Sequence, residues 1–434
     1  MKFSHLFARA LAPFALVFPA TAQSPPGAVG QPQQRLERPD DRTPAARQAE
    51  DYNPKGVRVG SFKLFSELEL DEAFNDNIYA TQSGRQGAFI QQIKPSAELR
   101  SDWSNHMLNF YAKAGFGLYS IDPGLNNFQD VSVGADGRVD IQRNWNVYGG
   151  GSWNRRHEER GTPNTVTGAG LPITVYNQTI GNAGYFQKFN RFNVRLDGRL
   201  DNYQYFDNGL GPAQGVIPNS DRNRNEFREA ARFGYEFLPG YEVWVRGGLN
   251  QRTYFQLDSS GFNRSSNGFD VVGGILLDLG GITAVELFAG YMQQTYQSSQ
   301  FQNISTPKFG LTGYWNPIRE LWVKPFVVRT IDDTSLTTSA AYINTSAGFD
   351  VNYNARPNIR IDGHADYTIA DYLPVANVPG NRYDQYVTLR LGAMYLPTEH
   401  FFVGPTYQFV TLNSNQPGSS YDQSLIMLRL GARL

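Results

Sequence analysis

The sequence predicts an all-β fold: a transmembrane, antiparallel, up-and-down β-barrel of about 18 strands. Three observations carry that prediction. Long stretches alternate strictly between apolar and polar residues, the connections between them alternate between short and long, and the N-terminus has the layout of an export signal.

The first element is the export signal, residues 1–22. Lys2, His5 and Arg9 precede a short apolar run from Leu11 to Phe18, and Ala20-Thr21-Ala22 places small residues where a signal peptidase cuts. The run is too short to span a bilayer as a helix, and no later segment approaches the length a spanning helix needs. Residues 23–56, rich in Pro, Gln, Arg and Asp and poor in aromatics, predict a disordered periplasmic leader.

Residues 57–434 predict the barrel. Phe62, Leu64, Ser66, Leu68 and Leu70 alternate with Lys63, Phe65, Glu67, Glu69 and Asp71. The same period of two recurs at Phe192–Asp201, Tyr241–Asn250 and Ile359–Thr368, and it puts one set of side chains on each face of a strand. Short connections are expected near 102–105, 142–144, 190–191, 238–240, 280–281, 316–320, 354–358 and 396–400. Long polar ones are expected near 74–87, 121–127, 157–173, 207–221, 256–267, 296–305, 331–336, 371–382 and 413–420. Short periplasmic turns and long extracellular loops are the habit of outer-membrane barrels, and a soluble sandwich has no reason to keep that rhythm. Trp103, Trp145, Trp315, Trp322, Phe401 and Phe402 flank the short turns and are expected to form an aromatic girdle at the membrane interface. The last strand, Leu425–Leu434, ends on an apolar residue as outer-membrane assembly signals do, although Leu434 stands where Phe or Trp is usual.

Composition agrees and removes other classes. Aromatics make up 14% of the chain and charged residues 18%, with 43 glycines, where a large soluble core would carry more Leu, Ala, Glu and Lys. A formal net charge of −1 gives no field to attract nucleic acid. With no cysteine, disulfides, thiol nucleophiles and Cys-ligated metals are all excluded.

Phe74-Asn75-Asp76-Asn77-Ile78-Tyr79, followed by Ile93-x-Pro95-x-Ala97-x-Leu99-x-Ser101-Asp102-Trp103 and His106, resembles the opening of the putative beta-barrel porin families of proteobacterial outer membranes. The resemblance covers residues 57–434. It implies an outer-membrane barrel and, for some members, a part in exopolysaccharide export.

Chemistry has few candidates. Asp362-x-His364-x-Asp366 puts two carboxylates and an imidazole on one strand face, a set that suits a metal or acid–base work but is more often wall lining. Asp71, Glu72, Asp76 and Asp130 lack calcium-loop spacing. No G-x-S-x-G elbow, Walker loop or dinucleotide fingerprint appears in the right context, so neither an enzyme nor a cofactor is expected. The residues singled out are those the parity sends inward: Arg195, Asp197, Arg199, Asp201, Arg228, Arg232, Arg246, Asp270, Arg360, Asp362, His364, Asp366, Arg390, Arg429 and Arg433. A Lys or Arg on the lipid face near the midplane costs about 2–4 kcal/mol, so such a set implies water inside.

The expected function is a porin-like channel for hydrophilic solutes or exported polysaccharide. Competing readings are a plugged barrel whose surface loops bind ligands and, third, an outer-membrane enzyme. Expected partners are outer-membrane lipid and lipopolysaccharide, the barrel assembly machinery and a polysaccharide cargo, with oligomeric state left open. A loop folded inward, from 157–173 or 207–221, would favour a gated or constricted pore.

Overall fold

The computed structural model describes residues 52–434 except 164, 166–169, 210–214, 281 and 376–380. The expected export signal, and the leader before residue 52, lie outside the described residues.

Alternation sets the architecture. The long strands are β1 (Phe62–Asn75), β2 (Ala88–Ser101), β3 (Met107–Tyr119), β4 (Phe128–Gln142), β5 (Trp145–His157) and β6 (Val175–Phe189). They continue as β7 (Phe192–Tyr205), β8 (Arg224–Leu238), β9 (Tyr241–Tyr254), β10 (Ser266–Asp278), β11 (Thr283–Tyr296) and β12 (Ile304–Ile318). The last six are β13 (Leu321–Asp333), β14 (Ser339–Arg356), β15 (Ile359–Pro374), β16 (Tyr383–Tyr395), β17 (Phe401–Ser414) and β18 (Tyr421–Arg433). Each is antiparallel to its sequence neighbours, and β18 returns to β1 in a register from Glu67↔Arg433 to Asn75↔Leu425. These 18 strands form a closed barrel with no free sheet edge at its ends, as a sheet in lipid requires. A short strand, Val57–Val59, pairs only with the foot of β1.

Strands of 13 to 18 residues are long enough to cross the hydrocarbon at a tilt and rise beyond it. Their outer faces are apolar: Leu196, Leu200, Phe233, Val245 and Leu249 are all about half exposed. Their inner faces hold the buried charged residues, including Asp71, Asp201, Glu226, Glu242 and Glu286.

The short turns lie on the side of both termini. Pro239-Gly240 makes one of them: proline presets the first turn residue, and Gly240 takes φ +83°, where a side chain would be strained. The long connections lie at the other end and carry an α-helical turn, Pro123–Asn126, a 3-10 turn, Ser220–Arg222, and a small ribbon pairing Asn208–Gly209 with Val216–Ile217. The strand ends correct several loop bounds, among them residues 331–333 and 371–374, which extend β13 and β15 because they pair with residues 339–343 of β14.

The aromatic girdle is only partly as expected. Trp315 and Phe401 face outward and are about half exposed. Trp322 instead turns into the barrel and stacks on Tyr314, centroids 5.5 Å apart. Phe402 is also buried inward, with the Arg433 guanidinium 5.7 Å from its ring centre. The two residues each lie one position from an outward neighbour, and period two sends adjacent side chains to opposite faces.

Candidate functional site

The candidate site is the lumen, because the strands place their charged faces there. On β7, Arg195 pairs with Asp197 at 2.9 Å and Arg199 with Asp201 at 2.7 Å. Asp201 also accepts from Arg228 of β8 at 3.0 Å, and Arg228 reaches Glu226 at 2.9 Å. Arg232 bridges Glu242 of β9 and Glu286 of β11 at 3.1 and 3.0 Å. Arg246 and Lys308 share Asp270 at 2.7 and 3.1 Å. These contacts join β7 through β12 in one belt of alternating sign. Each buried charge has an opposite partner, without which the desolvation cost would be several kcal/mol.

A second group lies across the lumen. His364 of β15 is held between Asp350 of β14, 2.7 Å from its Nδ1, and Asp366, 2.9 Å from its Nε2. Of the Asp362-x-His364-x-Asp366 set, Asp366 meets the imidazole. Asp362 sits over Gly392 on β16, and the second carboxylate on the imidazole is Asp350, brought there by the β14–β15 register Asp350↔His364. With a carboxylate on each ring nitrogen, the imidazole is a wall brace. Among the described residues, no group of three or more His, Asp or Glu is placed to hold a metal ion. Arg390 stands opposite His364 in the β15–β16 register, and Arg429 of β18 pairs with Glu69 at 2.7 Å.

Arg360 and Arg433 act at the periplasmic rim. Arg360 donates to Asn53 Oδ1 and Arg433 to the Tyr52 carbonyl oxygen, each at 2.7 Å. Lys55 pairs with Glu399 at 3.1 Å. The chain just before the barrel is thus tied to the rim by two of its inward-facing arginines.

The extracellular end has features that the sequence reading did not name. Inward parity carried to the strand tops places a collar of buried tyrosines: Tyr176, Tyr203, Tyr205, Tyr254, Tyr296 and, opposite, Tyr342, Tyr372 and Tyr421. Arg222 lies 4.0 Å from the Tyr205 ring centre and Arg224 4.3 Å from that of Tyr203. The signal was present in the sequence, since Tyr203 and Tyr205 continue the parity of Asp201.

In the connection that follows β5, Gly161 and Pro163 reach into this mouth. Tyr372 Oη donates to the Pro163 carbonyl oxygen at 2.9 Å, and Tyr421 Oη to that of Gly161 at 3.2 Å. Tyr372 belongs to β15, on the far side from β5 and β6, which bound this loop, and Tyr421 to β18, between the two. Its base is held by Arg222 Nη1 donating to Glu158 Oε2 at 2.9 Å and by Arg160 donating to Asn126 Oδ1 at 3.0 Å. Burial opposes the charge on Arg222, but Glu158 beside it holds the guanidinium above its usual range. In the neighbouring connection, the Asn219 and Ser220 amides donate to Asp207 at 2.7 and 2.9 Å and hold its carboxyl below the usual carboxylate range.

The motif Phe74–Tyr79 closes the ring at this end. Asn77 is fully buried and donates to the carbonyl oxygens of Thr81 and Asp422, each at 2.9 Å. Asp76 Oδ1 accepts from the Ser424 amide at 2.7 Å, and Tyr79 Oη donates to Asp122 at 2.5 Å. These residues clasp the first strand to the last.

Comparison with solved structures finds the same architecture. The copper transporter OprC superposes with a TM-score of 0.50 at 8% identity, over 88% of this chain and 81% of its own. Lower scores are given by OccK9 (OpdG) of Pseudomonas aeruginosa, 0.45 at 12% identity over 88% and 100% of the two chains. The FrpB iron transporter (F3-3 variant) of Neisseria meningitidis gives 0.44 at 9% identity over 84% of this chain, which spans 63% of the FrpB length. At such identities the likeness is one of fold. No curated protein matches the sequence. The family model described as Putative beta-barrel porin 2 matches residues 50–434, the whole barrel with its periplasmic tether. The chain belongs to this porin family of bacterial outer-membrane β-barrels.

Proposed function

We propose that the protein is a gated, porin-like channel that carries hydrophilic solutes, exported polysaccharide among them, across the outer membrane without enzymatic turnover. The observation that carries this reading is the lumen wall itself. Arginine–carboxylate pairs line the barrel from β7 to β12, and a tyrosine collar follows at the mouth. Balanced charges orient water and polar solutes without strongly favouring either ion sign, and aromatic rings offer apolar faces to sugar rings. In this reading the fifteen inward residues named from the sequence are lumen lining, and Arg360 and Arg433 also fix the periplasmic tether.

The loop crossing to Tyr372 and Tyr421 supports a gate, and it is also what a permanently plugged, ligand-binding barrel would have. Single-channel recording of refolded residues 23–434 in planar bilayers separates the two. A channel gives stepwise ohmic currents, blocked transiently by added neutral oligosaccharides. A plugged barrel inserts and stays silent.

A further inference from the structure

One seam of the barrel wall is incomplete. β12 and β13 pair from Ile318↔Leu321 to Gly310↔Val328, and there the pairing stops. β12 nevertheless continues to Ile304, paired on its other side with Gln294 of β11, and β13 continues to Asp333, paired with Ala341 of β14. Among the described residues, no main-chain ladder joins 304–309 to 329–333, in the extracellular half of the wall. Pro307, in the unpaired stretch of β12, has no N–H to give to β13.

The end of β13 has turned into the barrel. The Ile331 carbonyl oxygen accepts instead from Arg252 of β9 at 2.9 Å, inside the lumen. The Ile331 side chain is buried with Met292, Tyr296 and Ile304 in an apolar cluster at the inner side of the seam. A cavity of about 70 Å³ lies beside them, lined by Met292 and Ile331, by Arg246, Arg252 and Lys308, and by Glu226 and Asp270. Arg252 is only 8% exposed, and its Nη1 has no hydrogen-bond partner. Across the gap one side chain serves as a stitch: Arg329 donates to Thr306 Oγ1 of β12 at 3.2 Å and to Thr345 Oγ1 of β14 at 3.1 Å. Its guanidinium lies 5.7 Å from the Phe309 ring centre, and its buried Nε is unpartnered.

We propose that the β12–β13 seam is a lateral portal through which an anionic amphiphile moves its acyl chain between the outer leaflet and the lumen. Main-chain groups without a ladder partner are costly where water is scarce, so a persistent gap in the wall needs something to fill it. The apolar cluster supplies a surface for a chain, in a lumen otherwise lined with charge. Arg252, with its Nη1 free of a hydrogen-bond partner, supplies the cation for an anionic headgroup, and Arg329 holds the gap shut. The portal is a second route, separate from the aqueous path along the barrel axis.

The test is photocrosslinking in proteoliposomes that contain phosphatidylglycerol with a diazirine-bearing acyl chain, the adducts being mapped by peptide mass spectrometry. The portal predicts adducts on the lumen-side residues Met292, Tyr296 or Ile331 as well as on outward Tyr291 and Leu287. Arg329→Ala, which removes the stitch, should raise the lumen-side yield severalfold while the outward yield stays constant. Heat-modifiable mobility on gels checks that each barrel is folded. Adducts confined to outward-facing residues in a folded wild-type barrel would overturn the proposal, and so would a lumen-side yield unchanged in a folded Arg329→Ala barrel.

Discussion

Tyr372, near the top of β15, donates its phenolic hydrogen to the carbonyl oxygen of Pro163, 2.9 Å away in a loop rooted on the opposite wall. Tyr421 makes the matching contact with Gly161. These two hydrogen bonds hold Gly161 and Pro163 to side chains of β15 and β18 and take no part in the strand ladders. Each such bond is worth about 1 kcal/mol net. Replacing both tyrosines with phenylalanine should therefore shift the balance towards the released loop by roughly thirtyfold. In single-channel records the double variant should spend correspondingly more time in the larger conductance state, with its unfolding midpoint little changed.

The clasp between the first and last strands is predicted to support the closed ring. Asn77 satisfies two main-chain carbonyls from a fully buried position. Asn77→Ala leaves both unpaired and should destabilise the barrel by about 1–3 kcal/mol. A urea titration followed by heat-modifiable gel mobility measures this, and a midpoint equal to wild type would mean that the clasp is dispensable.

Asp201 is the hub of the charged belt, accepting from Arg199, Arg228 and Gln178. Asp201→Ala leaves two partly buried cations short of a partner. The expected cost is about 3–5 kcal/mol, with Asp201→Asn milder because the amide keeps part of the hydrogen bonding. The lost negative charge should also move the reversal potential in a salt gradient towards anion preference.

A pH response is expected at the loop that follows β7. Asp207 is held below the usual carboxylate range by the amides of Asn219 and Ser220. A carboxyl depressed in the folded state contributes its tether fully above the ordinary carboxylate pKa, roughly pH 4, and loses it as pH falls through the lower folded value. Amide exchange at Asn219 and Ser220 should thus accelerate only in acid beyond its intrinsic rate. Asp207→Asn should remove that acid-dependent step.

Much of this was legible in the sequence because period two is a strong signal over strands this long. The inward parity of Arg195 to Asp201 and the even closure follow from the residues themselves. The side taken by Trp322 and Phe402 depends on the residue count through a short turn, and a one-residue difference reverses the face. That Asp350 rather than Asp362 braces His364 required the register between two strands, which no single strand encodes. The inward course of 161–163 rests on contacts between distant segments, Pro163 with Tyr372 and Gly161 with Tyr421, and local pattern is silent about those. Pro307 lies in the stretch of β12 without a ladder to β13, but Pro95 and Pro405 lie in strands paired on both sides, so proline alone does not mark the seam.

The central claim is that the charged lumen conducts. Planar-bilayer recording of the wild type beside the Tyr372→Phe/Tyr421→Phe variant tests it most directly. The account predicts stepwise currents with weak ion selectivity in the wild type, a greater share of the larger state in the variant, and transient block by oligosaccharides. A folded barrel that inserts yet passes no current, even with both tyrosine contacts removed, would contradict it.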